Sequence, residues 1–166
     1  MIRPTARLLW SLLAFGCLIL VIGSLVLTAW LDLRPCPLCI FQRLLFMILA
    51  ALALAAAWLG PRRMALLPGL LAIGGSIAGI GIAVYQVWLQ LQPADTASCG
   101  GGSYNLIDLV VDWLGERLPT LFLATGFCED VGPLILGLSL ARWALIGFSG
   151  CLVVSAWAIL LRHRGD

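Results

Sequence analysis

The chain has 166 residues, of which 62% are apolar and 11% charged, against roughly 45–50% and about 25% in a soluble domain. Ten arginines, no lysine and eight acids leave a net charge of +2. The length suits one domain and the composition excludes a water-soluble one, so the chain reads as a single all-α membrane domain over 1–166, with the lipid bilayer as its solvent and no nucleic-acid partner.

About 20 apolar residues are needed to cross a bilayer, and four stretches qualify. The first, Leu8 to Leu31, carries no charge. Arg3 and Arg7 precede it as they would a cleaved signal, but the run exceeds the roughly 7–15 apolar residues of a signal core, so a retained helix is expected. A short loop, 32–39, holds the sequence RPCPLC. The second span covers about 40–59, a GPRR turn follows, and the third covers about 65–91. Its small residues Gly75 and Gly79 allow close helix contact in lipid. A long segment, 92–142, leads to the fourth span at about 143–161.

Arginines beside the spans set the orientation. Arg3, Arg7, Arg62, Arg63, Arg162 and Arg164 fall on one side. Arg34, Arg43, Arg117 and Arg142 fall on the other, with seven of the eight acids. Both termini are therefore expected in the cytoplasm and loops 32–39 and 92–142 outside. Within the long loop, Leu106, Leu109, Val110, Trp113 and Leu114 recur at helical spacing with Asp108 and Asp112 on another face. This predicts a short amphipathic helix, lying on the membrane surface or packed on the bundle top, in a loop that otherwise reads as a mobile flap.

Six cysteines divide into two groups. Cys17 and Cys151 sit in mid-span, where a thiol is ordinarily a small inert hydrophobe. Cys36, Cys39, Cys99 and Cys128 all fall outside, where disulfides persist. Four cysteines allow three connectivities. The favoured one pairs Cys36 with Cys39 and Cys99 with Cys128, which the sequence alone does not fix. A structural staple suits Cys99–Cys128, whose loop could contribute about 3–4 kcal/mol, but not the tiny Cys36–Cys39 ring. A zinc site lacks a second C-x-x-C knuckle, and the sole histidine, His163, lies on the other side, so no metal is expected.

Electron exchange is the remaining reading, and C-x-x-C is the recurrent redox spacing. Cys39 stands where unpaired N–H groups and the positive dipole end of a helix favour an anion. Arg43, one turn on, shares its face. Read alone it is an interfacial anchor whose stem snorkels. Beside a thiolate it can also stabilise that anion and hydrogen-bond a carbonyl oxygen of an acceptor. An apolar site with no metal ligands and no nucleotide fingerprint points, by elimination, to a membrane quinone.

The run PCPLCIFQR closely resembles the active motif of the disulfide-bond formation protein B (DsbB) family, the bacterial inner-membrane thiol oxidases. The four spans, the second-loop cysteines and LPTLFLATGFCED ahead of the last span extend the resemblance over nearly the whole chain. It implies a four-transmembrane-helix bundle with active cysteines on the periplasmic side. It further implies a quinone cofactor, ubiquinone or menaquinone, and a soluble thioredoxin-like partner of the DsbA type. The partner would be reoxidised by the Cys99–Cys128 disulfide through attack on Cys99, with Gly100, Gly101 and Gly102 leaving room. Electrons would pass to Cys36–Cys39 and then to quinone, with Cys39 against the ring and Arg43 orienting it. Gln86 falls where some relatives carry a histidine near the quinone, and an amide cannot titrate. Vitamin-K-epoxide-reductase-like enzymes offer a second resemblance, but their C-x-x-C lies near the last helix. A non-redox four-span protein is the remaining alternative. An exporter would need a membrane-embedded acid, which all four spans lack.

Overall fold

The computed structural model describes residues 3–59, 63–92, 106–128, 132 and 134–163. Its long helices are α1 (Arg3–Trp30), α2 (Pro37–Leu59), α3 (Leu66–Leu89) and α6 (Leu140–His163). Two short helices, α4 (Leu106–Arg117) and α5 (Pro119–Phe122), lie between α3 and α6. All four long helices are long and apolar enough to cross a membrane, and the described residues contain no β-strand beyond one isolated bridge, Ile135–Leu138. The chain is an all-α, multi-pass membrane protein.

Local chemistry explains where the helices begin and end. α1 stops in a Schellman turn. Asp32 takes a left-handed φ of 46°, and Leu33 N–H donates to the Thr28 carbonyl at 3.1 Å, the six-to-one bond of that motif. α2 starts at Pro37, whose fixed φ and missing N–H suit the first helical position. α6 is preceded by a tight turn in which Leu136 (φ 53°) and Gly137 (φ 81°) are both left-handed, as a two-residue I′ connection requires. The Trp143 indole donates to the Ile135 carbonyl at 3.0 Å, and Ser139 Oγ to Gln90 Oε1 at 3.0 Å. These two bonds anchor the start of α6 to the turn and to the end of α3.

The long helices form a ring in which α1 packs on α2, α2 on α3, α3 on α6 and α6 on α1. With lipid outside, association depends on close packing and not on water expulsion. Small residues supply it: Ala50, Ala53 and Ala56 of α2 and Ala72 and Ala83 of α3 are all buried. At the centre, Phe46 of α2 stacks on Phe148 of α6, centroids 4.0 Å apart and planes 6° from parallel. Phe148 lies so close to Gly79 of α3 that a β-carbon there would overlap its ring.

α4 departs from its expected face. The residues it buries are Val111 and Gly115, with Ile107 and Leu114 partly covered, against Ile40, Phe41 and Leu44 of α2 and Phe122 of α5. Leu106, Leu109 and Trp113 are exposed. Both faces of α4 are therefore apolar, so spacing alone does not choose between them. Gly115 permits the close approach of α5, since the Phe122 carbonyl oxygen would stand 3.2 Å from a β-carbon at that position. From Leu106 to Phe122 the segment between α3 and α6 packs against α2.

Gly79→Ala should destabilise the bundle by about 1–3 kcal/mol, the usual cost of overpacking, seen as a lower unfolding midpoint in detergent. Gly74→Ala, with nothing within 4 Å of its added carbon, should leave the midpoint unchanged or raise it.

Candidate active site

The C-x-x-C pair forms the mouth of α2. Cys36 is the cap residue. Its carbonyl accepts the Ile40 N–H at 3.1 Å, and its Sγ accepts the Cys39 N–H at 3.3 Å, so a sulfur performs the task that Ser or Asp performs at other helix starts. Cys36 and Cys39 are free thiols with Sγ atoms 2.9 Å apart, Cys36 donating. That hydrogen bond, and then burial, hold the Cys36 thiol well above the ordinary thiol range. Cys36 therefore keeps its proton and directs it at Cys39.

A second donor reaches the pair from α3. Gln86 Nε2 lies 3.0 Å from Cys39 Sγ and 3.4 Å from Cys36 Sγ. Its orientation is set by Gln42 of α2, whose Nε2 donates to Gln86 Oε1 at 2.8 Å. Both amides are buried. The Cys39 sulfur thus receives the Cys36 S–H and the Gln86 N–H at the positive end of a helix, an arrangement that suits an anionic sulfur.

Arg43 is also buried, at 7% exposure, although its position read alone suits an interfacial anchor. Its Nε donates to Ser24 Oγ at 3.0 Å, its Nη2 to Thr28 Oγ1 at 3.2 Å and its Nη1 to the Leu121 carbonyl at 2.8 Å. The two hydroxyls can accept because their own protons go to Val21 O and Ser24 O within α1. The guanidinium therefore ties α2 to α1 and to α5.

Cys39, Gln42, Arg43 and Gln86 line a cavity of about 670 Å³ whose walls are otherwise chiefly apolar. Its sides come from the C-terminal half of α1 (Leu20, Ser24, Leu27), the start of α6 (Leu140, Trp143) and the Arg34–Cys36 strap, and Phe46 also lines it. The volume falls in the roughly 300–1,000 Å³ range of small-molecule sites.

Cys128 approaches the same place from the other side. It is disulfide-bonded and shares one buried cluster with Cys36, Leu38 and Leu89, against which Cys39 packs. The strap before Cys36 holds it there. The Thr125 and Gly126 N–H groups both donate to the Pro35 carbonyl, at 2.9 and 3.1 Å, and a β-carbon on Gly126 would overlap the Arg34 carbonyl oxygen. Cys99 and the glycines after it lie outside the described residues, so the structure brings together Cys36, Cys39, Cys128, Arg43 and Gln86. Among the described residues no His, Cys, Asp and Glu group could hold a metal ion.

Sequence reasoning missed Gln42, Ser24, Thr28 and Gly126. A signal existed for three of them. Gln42 is an amide inside an apolar span, and Ser24 and Thr28 are hydroxyls four apart on one face of a span otherwise almost wholly apolar, where polar groups are rare and seek partners. Gly126 carried none, because its need for hydrogen in place of a side chain arises from a strand of chain far away in sequence.

The model of the family described as "Disulfide bond formation protein DsbB" matches residues 6–158. Curated relatives include a "Disulfide bond formation protein B" of Dechloromonas aromatica (strain RCB), 42% identical over 164 residues that cover 99% of this chain and 96% of the relative. A "Disulfide bond formation protein B 2" of Burkholderia lata is 42% identical over 155 residues, covering 90% and 88%. A "Disulfide bond formation protein B" of Azoarcus sp. (strain BH72) is 33% identical over 158 residues, covering 92% and 87%. A match of this extent, on a four-span bundle whose helix mouth presents two facing thiols, shows that the chain belongs to the DsbB family of membrane disulfide bond formation proteins.

Proposed function

We propose that this disulfide-forming oxidoreductase reoxidises a soluble, thioredoxin-like dithiol oxidase of the DsbA type and delivers the electrons to a membrane quinone. In this reading it sits in the bacterial inner membrane as a single domain, with both termini in the cytoplasm and its active cysteines on the periplasmic side. The observation that carries the reading is the Cys36–Cys39 pair opening onto a chiefly apolar cavity of about 670 Å³ that also presents Arg43, Gln42 and Gln86.

The pairing of Cys99 with Cys128 draws on Cys128 being disulfide-bonded while Cys17, Cys36, Cys39 and Cys151 are free thiols. Exchange runs through thiolates and mixed disulfides. A partner thiolate attacks Cys99, breaking Cys99–Cys128 and releasing the Cys128 thiolate. The partner's second thiol displaces Cys99, so the partner leaves oxidised and this chain holds two electrons as a Cys99, Cys128 dithiol. In the oxidised form of the C-x-x-C pair, Cys128 then attacks Cys36 and Cys39 leaves. Cys99 next attacks Cys128, re-forming the loop disulfide and leaving Cys36 as a thiol. The packing of Cys128 with Cys36 in one buried cluster supports this hand-over.

The cavity fits a quinone ring in size and lining. A bound quinone supplies a two-electron, two-proton acceptor, either ubiquinone or menaquinone. Arg43, held on three sides, supplies a fixed positive charge at the cavity wall. Gln86, held by Gln42, keeps a donor on Cys39 and so steadies the sulfur that gives up the electrons. The amide does this without titrating. The chiefly apolar walls limit water at the half-buried Cys39 sulfur.

Cys36→Ser or Cys39→Ser should abolish quinone reduction by a reduced thioredoxin-like donor while the protein still inserts in the membrane; ordinary turnover in either variant would sink the reading. Arg43→Ala should raise the quinone KM about tenfold or more, the loss of one charge-assisted hydrogen bond or greater. Single-turnover exchange between the donor and the loop disulfide should be unchanged. Gln86→Leu should slow re-oxidation of the Cys36–Cys39 pair by about tenfold to a hundredfold, corresponding to an unsatisfied buried group, as followed by thiol alkylation in a stopped reaction. Gln86→Glu adds a buried carboxyl in place of the donor and should not restore the rate.

A further inference from the structure

Cys17 and Cys151 take no part in the exchange described above, yet they face each other across the bundle. Their Sγ atoms are 3.6 Å apart, although 134 residues separate them in the chain. Both are buried in the main apolar core. The pair stands beneath the cavity. Cys17 is one turn of α1 beyond Val21, which lines the cavity wall. Cys151 is one turn of α6 beyond Phe148, whose ring stacks on the cavity-lining Phe46. A lipid-soluble oxidant that reaches the cavity is therefore separated from a second dithiol by one aromatic layer.

We propose that Cys17 and Cys151 form an intramembrane dithiol that a lipid-soluble quinone oxidises to a disulfide joining α1 to α6. The quinone component rests on the function proposed above. Two S–H bonds are lost and one S–S bond forms. Two electrons and two protons reduce one quinone to quinol. Closing from 3.6 Å to the ~2.05 Å of a disulfide takes about 1.5 Å of sulfur movement, without a change in helix order. The two sulfurs must first approach within a packed core, so closure is slow relative to turnover at Cys36–Cys39. It acts as a lock that reports a persistently oxidised membrane pool. Its structural effect follows from its place: the outer ends of α1 and α6 wall the cavity, and a bond between these helices fixes their separation.

The test uses the full-length protein, reduced and reconstituted in lipid vesicles, then held for hours with an excess of a short-chain benzoquinone and no partner protein. The chains are unfolded, alkylated and mapped by peptide mass, so that the two thiol pairs are read on separate peptides. The expected result is joint loss of alkylation at Cys17 and Cys151 and a linked peptide two hydrogens lighter than its parts. Loss at Cys36 and Cys39 should come first. Cys17→Ala should remove the linked peptide and leave closure at Cys36–Cys39 intact. Full alkylation of Cys17 and Cys151 in a sample where Cys36–Cys39 has closed overturns this inference alone. A Cys17–Cys151 link with Cys36 and Cys39 still alkylated supports it and overturns the quinone-linked function. Full alkylation of all four overturns both.

Discussion

A guanidinium held away from water is the constraint on which the cavity end of this bundle is built. Arg43 sits at 7% exposure inside a span, and a buried charge is costly unless its hydrogen bonds are met. Three neighbours take three of its five N–H groups: two hydroxyls of α1 and a main-chain carbonyl of α5. Each bond to a charged group is worth about 1.5–3 kcal/mol. Together they dictate how α1 leans on α2 and where the chain after α4 must pass. The position of the cavity follows, since α1, α2 and the strap before Cys36 bound it.

The same economy governs the sulfurs. Gln42 and Gln86 are a pair of buried amides that would each be a liability alone. Joined, they leave one N–H pointed at Cys36 and Cys39. Polar groups in hydrocarbon have few alternative partners, so the orientation is held without a charge. The family fixes the chain as a disulfide-forming membrane protein, and this local order sets the donors around its C-x-x-C mouth.

Rigidity and reactivity occupy different depths. Below the cavity, the Phe46–Phe148 stack is set into the gap left by Gly79, and the alanines of α2 and α3 let the helices close on one another. Above it, the Thr125–Gly126 segment clasps Pro35 by main-chain bonds and carries Cys128 into the cluster with Cys36. The segment that carries Cys128 is thus secured beside Cys36.

The sequence by itself determined the elements. Four apolar runs, of which only the second carries a charge, Arg43, specify four helices, because a backbone in lipid must satisfy its own hydrogen bonds. Pro37 between two cysteines specifies a helix mouth at the thiols, and Arg43 at i+4 from Cys39 specifies a cation on the same face. These are local relations, and local geometry makes them legible. Only the tertiary structure decided which distant residues meet: Gln42 with Gln86, Arg43 with Ser24 and the Leu121 carbonyl, Gly126 with Arg34, Cys17 with Cys151. It also chose Ile107, Val111 and Gly115 as the inward face of α4 over the equally apolar Leu109 and Trp113. Those pairings depend on the rotation and depth of each helix against its neighbours, and in a chain this uniformly apolar periodicity does not encode them. They are set by where small side chains allow approach and where buried polar groups find partners.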